Sequence, residues 1–393
     1  MEVAKERLGL RVALVHDFLL DLRGAERVFL ELCRMWPGAP VFTTVYDEAG
    51  TKGRFADRDL RTSFLQRLRP SARTFRALLP LYPAAIRSLD LQEFDLVLSS
   101  SSAWAHGVVP APPALHVCYC HNPFRYAWND RDATLARSRN PFVRALLAET
   151  LRRWREWDRR NARRTDSYLA NSQITQARIR AAYGRHAKVV HPPVDTSRFH
   201  PGTVEDHYCV VSELMAHKRI DIAIEAFNRL RLPLVIVGDG PAARALRRLA
   251  GPTIRFTGRV SDDEVAAIMR TSRALIITAV EEFGIASVES QASGRPVIAR
   301  GEGGALETVI GGVTGRFWHG GPEALADAVR QFDSGAVDPQ ACVQSARRFD
   351  VARFRAALSA EITAAELART QGDRPRAEAQ PDDAVRTART RVG

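Results

Sequence analysis

The chain predicts an α/β protein made of two doubly wound domains, each a parallel sheet with helices on both faces. Three observations carry this. A length of 393 residues suits two domains of ordinary size. Short apolar runs alternate with helical stretches along both halves, the rhythm that produces parallel sheets. Between the halves, Pro192-Pro193-Val194-Asp195 breaks regular structure and reads as a linker. The expected boundaries are therefore 1–195 and 196–345, followed by a helical segment over 346–368 and a structureless tail over 369–393.

In the first half a buried strand is expected at Leu10–Val15, ending at His16-Asp17-Phe18, and then a helix around Glu26–Met35. Val41–Val45 is extended, and Leu96–Ser99 and Leu115–Cys120 are strands. A long helix over about Pro141–Thr165 leads to a short strand at Asp166–Asn171, a helix at Ser172–Tyr183 and a last strand at Val189–His191. The second half alternates more cleanly. Strands are expected at Tyr208–Val211, Leu234–Val237, Ile254–Thr257 and Ala274–Thr278, with helices at Ile220–Leu230, Ala242–Ala250 and Asp262–Thr271 between them. Near the end, Phe354, Leu358 and Ile362 fall on one face of an amphipathic helix. From about Thr370 apolar residues give way to Asp, Arg, Pro and Gln, a composition that cannot support a core.

Composition narrows the function. No segment reaches the ~20 apolar residues of a membrane-spanning helix, and Met1–Arg7 carries mixed charge without a secretory apolar region. The five cysteines are scattered, and Cys118-x-Cys120 has the wrong spacing for a zinc knuckle or a redox pair. Reduced thiols and a cytoplasmic location are expected. The net charge of +12 invites a nucleic-acid partner, yet only four of the 57 basic residues are lysine, which reads as coding bias. Nothing resembles an RNA-binding sheet motif or a zinc finger, so no nucleic-acid partner is expected. The densest basic run, Arg152–Arg164 around Trp154 and Trp157, is either a solvated helix face or a peripheral contact with anionic lipid headgroups.

Chemistry concentrates near residue 281. The apolar run Ala274–Val280 supplies a strand, Phe283-Gly284 a tight turn and Ile285 onward a short helix, closed by Gly294 before a new strand at Pro296–Ala299. Glu281 then lies on the loop, and Glu289 is placed in the first helical turn. A first-turn glutamate is common because it complements the helix dipole. Here, however, the helix's first amides lie between the two acids and favour an anion such as a diphosphate. Carboxylates beside such a site accept hydrogen bonds from the vicinal hydroxyls of a ribose or hexose. Glu289 is assigned to the ribose and Glu281 to a hydroxyl of the transferred sugar, with the amides of Phe283, Gly284 and Ile285 facing sugar and diphosphate. Gly284 permits close approach of backbone and ligand. Gly303, Gly304 and Glu307 form a further loop and helix start on the same side. Lys218 follows the first strand of the second half, where an ammonium can neutralise a departing diphosphate.

Taken with Gln291–Ala299 and the Gly301–Glu307 loop, this stretch resembles the signature of retaining glycosyltransferases of family 4, which have the GT-B fold, over roughly residues 10–365. The resemblance implies two Rossmann-like domains facing across a deep cleft, with the first on the acceptor side and the second binding the nucleotide sugar. It also implies a C-terminal helix crossing back to the first domain. Tyr119–Trp128 looks like the His-x-Pro-x-Arg-Tyr-x-Trp stretch of bacterial mannosyltransferase-like members. By that similarity His121 faces the donor sugar and Arg125 the acceptor or phosphate. Gly24-Ala25-Glu26-Arg27 resembles the family's glycine loop near the acceptor, with Arg23 replacing one usual glycine. Glu213 stands where the family usually has an arginine, and Arg219 is expected to compensate as a phosphate contact.

The implied catalytic set is His121, Lys218 and Glu281. No cofactor or metal is expected, because Lys218 and the helix N-terminus can do an ion's electrostatic work. Asp57-Arg58-Asp59 and Asp130-Arg131-Asp132 match the manganese-binding D-x-D of the other major glycosyltransferase fold, but neither follows a hydrophobic strand. Gly238-Asp239-Gly240 superficially matches a dinucleotide fingerprint, without the acidic residue that would hold an adenosine ribose. GDP-mannose is the first choice of donor and a UDP-hexose the second, with a lipid-linked or growing saccharide of a bacterial envelope or exopolysaccharide as acceptor. Two rival classes stay open: a GT-B sugar-nucleotide epimerase, and a non-catalytic basic protein binding membrane or nucleic acid.

Overall fold

A computed structural model describes residues 10–72 and 74–371. The chain divides into two compact units: one runs to Val190 and resumes at Arg355, and the other is His191–Phe354. The unstructured tail expected beyond 371 lies outside the described residues.

The first unit holds a seven-stranded parallel sheet. Its strands are β1 (Val12–His16), β2 (Val41–Thr43), β3 (Leu60–Thr62), β4 (Leu96–Ser101), β5 (Leu115–Cys120), β6 (Ser167–Ala170) and β7 (Ala187–Val189). They lie in the order β3-β2-β1-β4-β5-β6-β7. Strand order therefore reverses between β1 and β4, the place where open α/β sheets bind ligands beyond the strands' carboxyl ends. β1 and β4 run one and two residues further than their apolar runs suggest, to His16 and Ser101. Every residue of β4 and β5 is buried, as befits central strands covered on both faces. Helices α1 (Gly24–Met35), α2 (Tyr82–Arg87), α3 (Arg131–Ala136), α4 (Pro141–Ala162) and α5 (Gln173–Tyr183) complete the layers. Local chemistry sets their ends. The Glu26 carboxylate accepts the Arg23 amide at 2.9 Å at the start of α1. Asn140 accepts the amides of Phe142 and Val143 before α4, with Pro141 at its first position. α5 closes on Gly184 at φ 63°.

The second unit has the same logic. Strands β8 (Tyr208–Val211), β9 (Leu234–Val237), β10 (Ile254–Gly258), β11 (Leu275–Ile277), β12 (Val297–Arg300) and β13 (Gly315–Trp318) form a parallel sheet ordered β10-β9-β8-β11-β12-β13. Its order reverses between β8 and β11. The helices are α6 (Ile220–Leu230), α7 (Ala243–Leu249), α8 (Asp262–Thr271), α9 (Ile285–Ala292), α10 (Ala305–Thr308), α11 (Pro322–Arg330) and α12 (Pro339–Ala346). The last helix, α13 (Val351–Thr370), starts five residues later and ends two residues later than the expected 346–368, so residues 369 and 370 are helical rather than tail. Phe354, Leu358 and Ile362 are buried, and in the first unit Arg355 donates to Glu31 at 2.6 Å.

Among the described residues, no helix is long and apolar enough to cross a membrane.

Candidate functional site

In the second unit, the loops after β8 and β11 meet at the strand-order reversal. The first runs Ser212–Lys218 and ends in a single 3₁₀ turn, Ala216–Lys218. The second runs Thr278–Gly284. Lys218 Nζ lies 2.6 and 2.8 Å from the two carboxylate oxygens of Glu281, both side chains about one-fifth exposed. Thr278 Oγ1 donates to the Lys218 carbonyl at 2.7 Å and ties the loops a second time. The two residues expected to serve phosphate and sugar separately thus form an ion pair at the strand ends. An ammonium has three N–H donors, and Glu281 takes two.

Glycines hold these loops in place. Gly238, at φ 127°, lies so close to the first loop that a Cβ would stand 1.9 Å from the Ser212 carbonyl oxygen. A Cβ on Gly240 would stand 2.6 Å from the Leu214 carbonyl oxygen. Leu214 donates to the Asp239 carbonyl at 3.0 Å, and Ala242 to that of Leu214 at 2.9 Å. The Gly-Asp-Gly turn is thus a buttress for the lysine loop. Gly303 and Gly304, expected to line the donor site, back the glutamate loop. The Gly304 amide donates to the Glu281 carbonyl at 2.8 Å, and a Cβ there would lie 2.4 Å from the Phe283 Cα.

α9 begins at Ile285 after Gly284 in the left-handed region, φ 90°. The first-turn placement of Glu289 is corrected: it is the fifth helical residue and stands in the second turn. Phe283 is buried, with the ring of His191 at 5.5 Å and that of Phe349 at 5.2 Å. His191 Nε2 lies 2.8 Å from Glu307 Oε2. Arg219 sits at φ 51° capping α6, and its guanidinium is bonded to Asp221 at 3.0–3.2 Å, which raises its pKa. The phosphate contact expected of Arg219 therefore competes with an ion pair.

In the first unit, His121 follows β5 and is buried, with Nε2 2.9 Å from Ser100 Oγ. The same hydroxyl lies 3.0 Å from His16 Nδ1, and His16 Nε2 is 3.7 Å from Glu26 Oε1. The sequence placed His16 at a strand end but attached no role to it, and Ser100 carried no signal. Asp17 accepts the amides of Ser102, Ala103, Trp104 and Ala105, which shapes the turn after β4. Burial pushes its carboxyl up, against the pull of those amides. Gly24 is the first residue of α1, and Arg125 lies 3.8 Å from Asp130.

The Arg152–Arg164 run is largely occupied within the molecule. Arg152 and Arg153 pair with Glu149 at 2.7 and 2.9 Å. Arg155 and Arg159 donate to the carbonyls of Ala127 and Ala182, and both stack over Trp128. Trp154 and Trp157 pack on Trp104. The exposed apolar residues of α4 lie instead at its start: Phe142, Val143 and Leu146 are 84%, 51% and 70% exposed. Asp57 and Asp59 pair with Arg58 and Arg61. Among the described residues, no group of three or more His, Cys, Asp or Glu is arranged to hold a metal.

Two doubly wound parallel sheets with matching strand reversals are the architecture of the GT-B fold. Residues 22–198 match the family model for glycosyltransferase family 4, and residues 199–349 match that for glycosyl transferases group 1. The chain belongs to glycosyltransferase family 4. Among curated proteins it is similar to a GDP-mannose-dependent alpha-(1-6)-phosphatidylinositol monomannoside mannosyltransferase of Mycobacterium tuberculosis. The two are 32% identical over 201 residues, 42% of this chain and 52% of the relative. A GDP-mannose-dependent monoacylated alpha-(1-6)-phosphatidylinositol monomannoside mannosyltransferase of Corynebacterium glutamicum is 32% identical over 171 residues, 35% of this chain and 45% of that one. The chain thus spans about half the length of the curated relatives it matches. Among solved structures, Anabaena HepE in complex with UDP-glucose aligns with a TM-score of 0.66 at 17% identity, covering 90% of this chain and 99% of HepE. Sucrose-phosphate synthase from Thermosynechococcus elongatus aligns at 0.68 and 14% identity, covering 90% and 100%. Both show the shared fold.

Proposed function

We propose that the chain is a retaining glycosyltransferase that moves a hexose, with mannose favoured, from a nucleoside diphosphate sugar to a lipid-linked or growing saccharide. The observation that carries this is the Lys218–Glu281 pair at the carboxyl ends of β8 and β11. A diphosphate arriving there meets an ammonium and the first amides of α9, which stabilise charge that develops as the glycosidic bond breaks. Glu281 is proposed to accept from a sugar hydroxyl, and Glu289, on the same helix as those amides, is assigned to the ribose. The reaction is proposed to run without a divalent ion, since these groups supply the positive charge. With no evident glycosyl nucleophile, the proposed route is same-face internal return. The relatives' GDP-mannose dependence and phosphatidylinositol-mannoside acceptors favour mannose and a lipid-linked acceptor, and hence a cytoplasmic protein in peripheral contact with a membrane.

The test is a thermal-shift panel with GDP, UDP and ADP, followed by turnover of GDP-mannose. A ligand bound only to the native state adds RT ln(1 + [L]/Kd), roughly 2.7 kcal/mol at a hundredfold excess over Kd. GDP should stabilise most, and transfer should give an α-linked product in the presence of chelator. Stabilisation by UDP alone would move the donor to a UDP-hexose. Donor turnover without acceptor would favour an epimerase, and no nucleotide effect at all would leave a non-catalytic binding protein.

Membrane contact is assigned to the start of α4 rather than to the arginine run further along it. Between Asp132 and Glu149 the chain carries Arg137, Arg139 and Arg144 and no acid, beside exposed Phe142, Val143 and Leu146. A basic and apolar tip of this kind suits an anionic bilayer. Replacing Phe142 and Leu146 together by serine should weaken sedimentation with phosphatidylglycerol vesicles about thirtyfold, each apolar side chain contributing on the order of 1 kcal/mol at the interface. Undiminished binding would place the contact elsewhere.

A further inference from the structure

His16, Ser100 and His121 stand side by side at the carboxyl ends of β1, β4 and β5, and sheet register sets His16 directly opposite Ser100. His16 and Ser100 are 2% and 0% exposed, so neighbouring side chains rather than bulk water settle where the protons lie. The Ser100 hydroxyl has a single hydrogen and two imidazole neighbours, His16 Nδ1 at 3.0 Å and His121 Nε2 at 2.9 Å. If it donates to one ring it must accept from the other. The two histidine tautomers are therefore locked together through one rotor.

Glu26 breaks the tie. Its Oε1 lies 3.7 Å from His16 Nε2, longer than a hydrogen bond but close enough that, in a water-poor setting, a nitrogen lone pair there would face a carboxylate. A proton on His16 Nε2 is favoured instead. That leaves Nδ1 as an acceptor for the Ser100 O–H, and makes Ser100 Oγ the acceptor for a proton on His121 Nε2. Two further contacts fix the geometry. The other Glu26 oxygen accepts the Arg23 amide at 2.9 Å, and Phe29 stacks on His16 with ring centroids 4.7 Å apart.

We propose that Glu26 acts through His16 and Ser100 as a positioning residue that holds His121 in the Nε2–H tautomer. In that tautomer His121 Nδ1 is an acceptor rather than a donor, the polarity that suits a hydroxyl of the donor sugar. The opposite polarity, with Ser100 donating to His121, puts the His16 proton on Nδ1 and turns a bare Nε2 toward the Glu26 carboxylate, unless His16 takes a second proton. The tautomer itself does not depend on the transferase reading; only its kinetic consequence rests on that reading.

The experiment is a two-bond ¹H–¹⁵N correlation of the full chain labelled with ¹⁵N-histidine, with the His121 signals assigned by their loss in His121→Gln. Wild type should show His121 protonated at Nε2 and bare at Nδ1. Glu26→Gln, which keeps the side chain's shape, should move both His121 nitrogens toward averaged shifts. Ser100→Ala should do the same by removing the rotor, and it decides the question if Glu26→Gln fails to fold. A proton on His121 Nδ1 in wild type, or His121 shifts unmoved in a folded variant, overturns the proposal. In GDP-mannose transfer, Glu26→Gln should lower kcat roughly tenfold to a hundredfold, the range for lost outer partners of a working histidine, with little change in KM. An equal rise in KM with kcat retained would also overturn it. If wild type transfers no sugar, the functional reading fails while the ring shifts still decide the tautomer.

Discussion

Lys218→Ala is expected to lower sugar transfer by about 10²–10³-fold, the usual loss when one preorganised group aimed at developing charge is removed. Two effects add. The variant loses the ammonium that meets the leaving diphosphate, and it strands the Glu281 carboxylate, now without its 2.6 and 2.8 Å partner, beside an incoming anion. Donor binding should therefore weaken as well as turnover. Lys218→Arg keeps the charge but replaces a compact ammonium by a planar fork, and should recover only part of the rate. The double variant Lys218→Ala, Glu281→Gln should bind GDP better than Lys218→Ala alone, because the stranded charge is gone; a double-mutant cycle reads that coupling. Single-turnover transfer from GDP-mannose measures the rate, and near-normal transfer by Lys218→Ala would end the assignment. Unfolding should change little, since the pair is partly solvated and such pairs contribute weakly to stability.

The second half was easier to read than the first, for physical reasons. Leu234–Val237 is an uninterrupted apolar run bounded by turn residues, and Ser261 with Glu264 forms a capping box that marks the start of α8 at Asp262. By contrast, β3 at Leu60–Thr62 is a half-exposed edge strand whose sequence has no period to detect. The lysine and glutamate of the site were legible because each follows a buried strand, and strand ends are where such sheets bind ligands. Their pairing was not legible, since it depends on β8 and β11 being neighbours although separated in sequence. The same holds for Ser100, which matters only because parallel register sets it opposite His16. Counting arginines over 152–164 could not separate a solvated face from a lipid contact: charge density says nothing about partners, and Glu149, Trp128 and two carbonyls take up most of that run.

The folded chain is expected to lose about 1 kcal/mol of stability between pH 6.5 and pH 8 through one buried pair in the first unit. Asp158 and His106 are both fully buried, with Oδ1 and Nε2 3.5 Å apart. Burial pushes the Asp158 carboxyl up to about 8 from 3.8, against hydrogen bonds from Trp128 and Tyr183. Burial also pushes His106 down to about 4 from 6.5. Between about pH 4 and 6.5 the folded pair holds one proton, on the acid, and the unfolded pair also holds one, on the histidine, so the pair contributes no slope. Above 6.5 the unfolded histidine lets its proton go while the folded acid keeps one up to about pH 8. The unfolded state then binds fewer protons, and stability falls as pH rises. The outcome is the same whichever of the two partners carries the shared proton. His116, pushed down to about 3 by burial, costs stability only on the acid side of 6.5 and leaves this window untouched. Asp158→Asn keeps an acceptor for Trp128 but cannot titrate, so denaturant unfolding at pH 6.5 and pH 8 should show the slope in wild type and a flatter line in the variant. Asp158→Ala strands the Trp128 and Tyr183 donors and should cost roughly 3 kcal/mol at pH 6.5, at about 1–3 kcal/mol per unsatisfied group, and less at pH 8, where wild type has lost part of the pair's contribution. An alkaline slope of equal size in wild type and Asp158→Asn would show that the proton taken up on folding in this window belongs to another group.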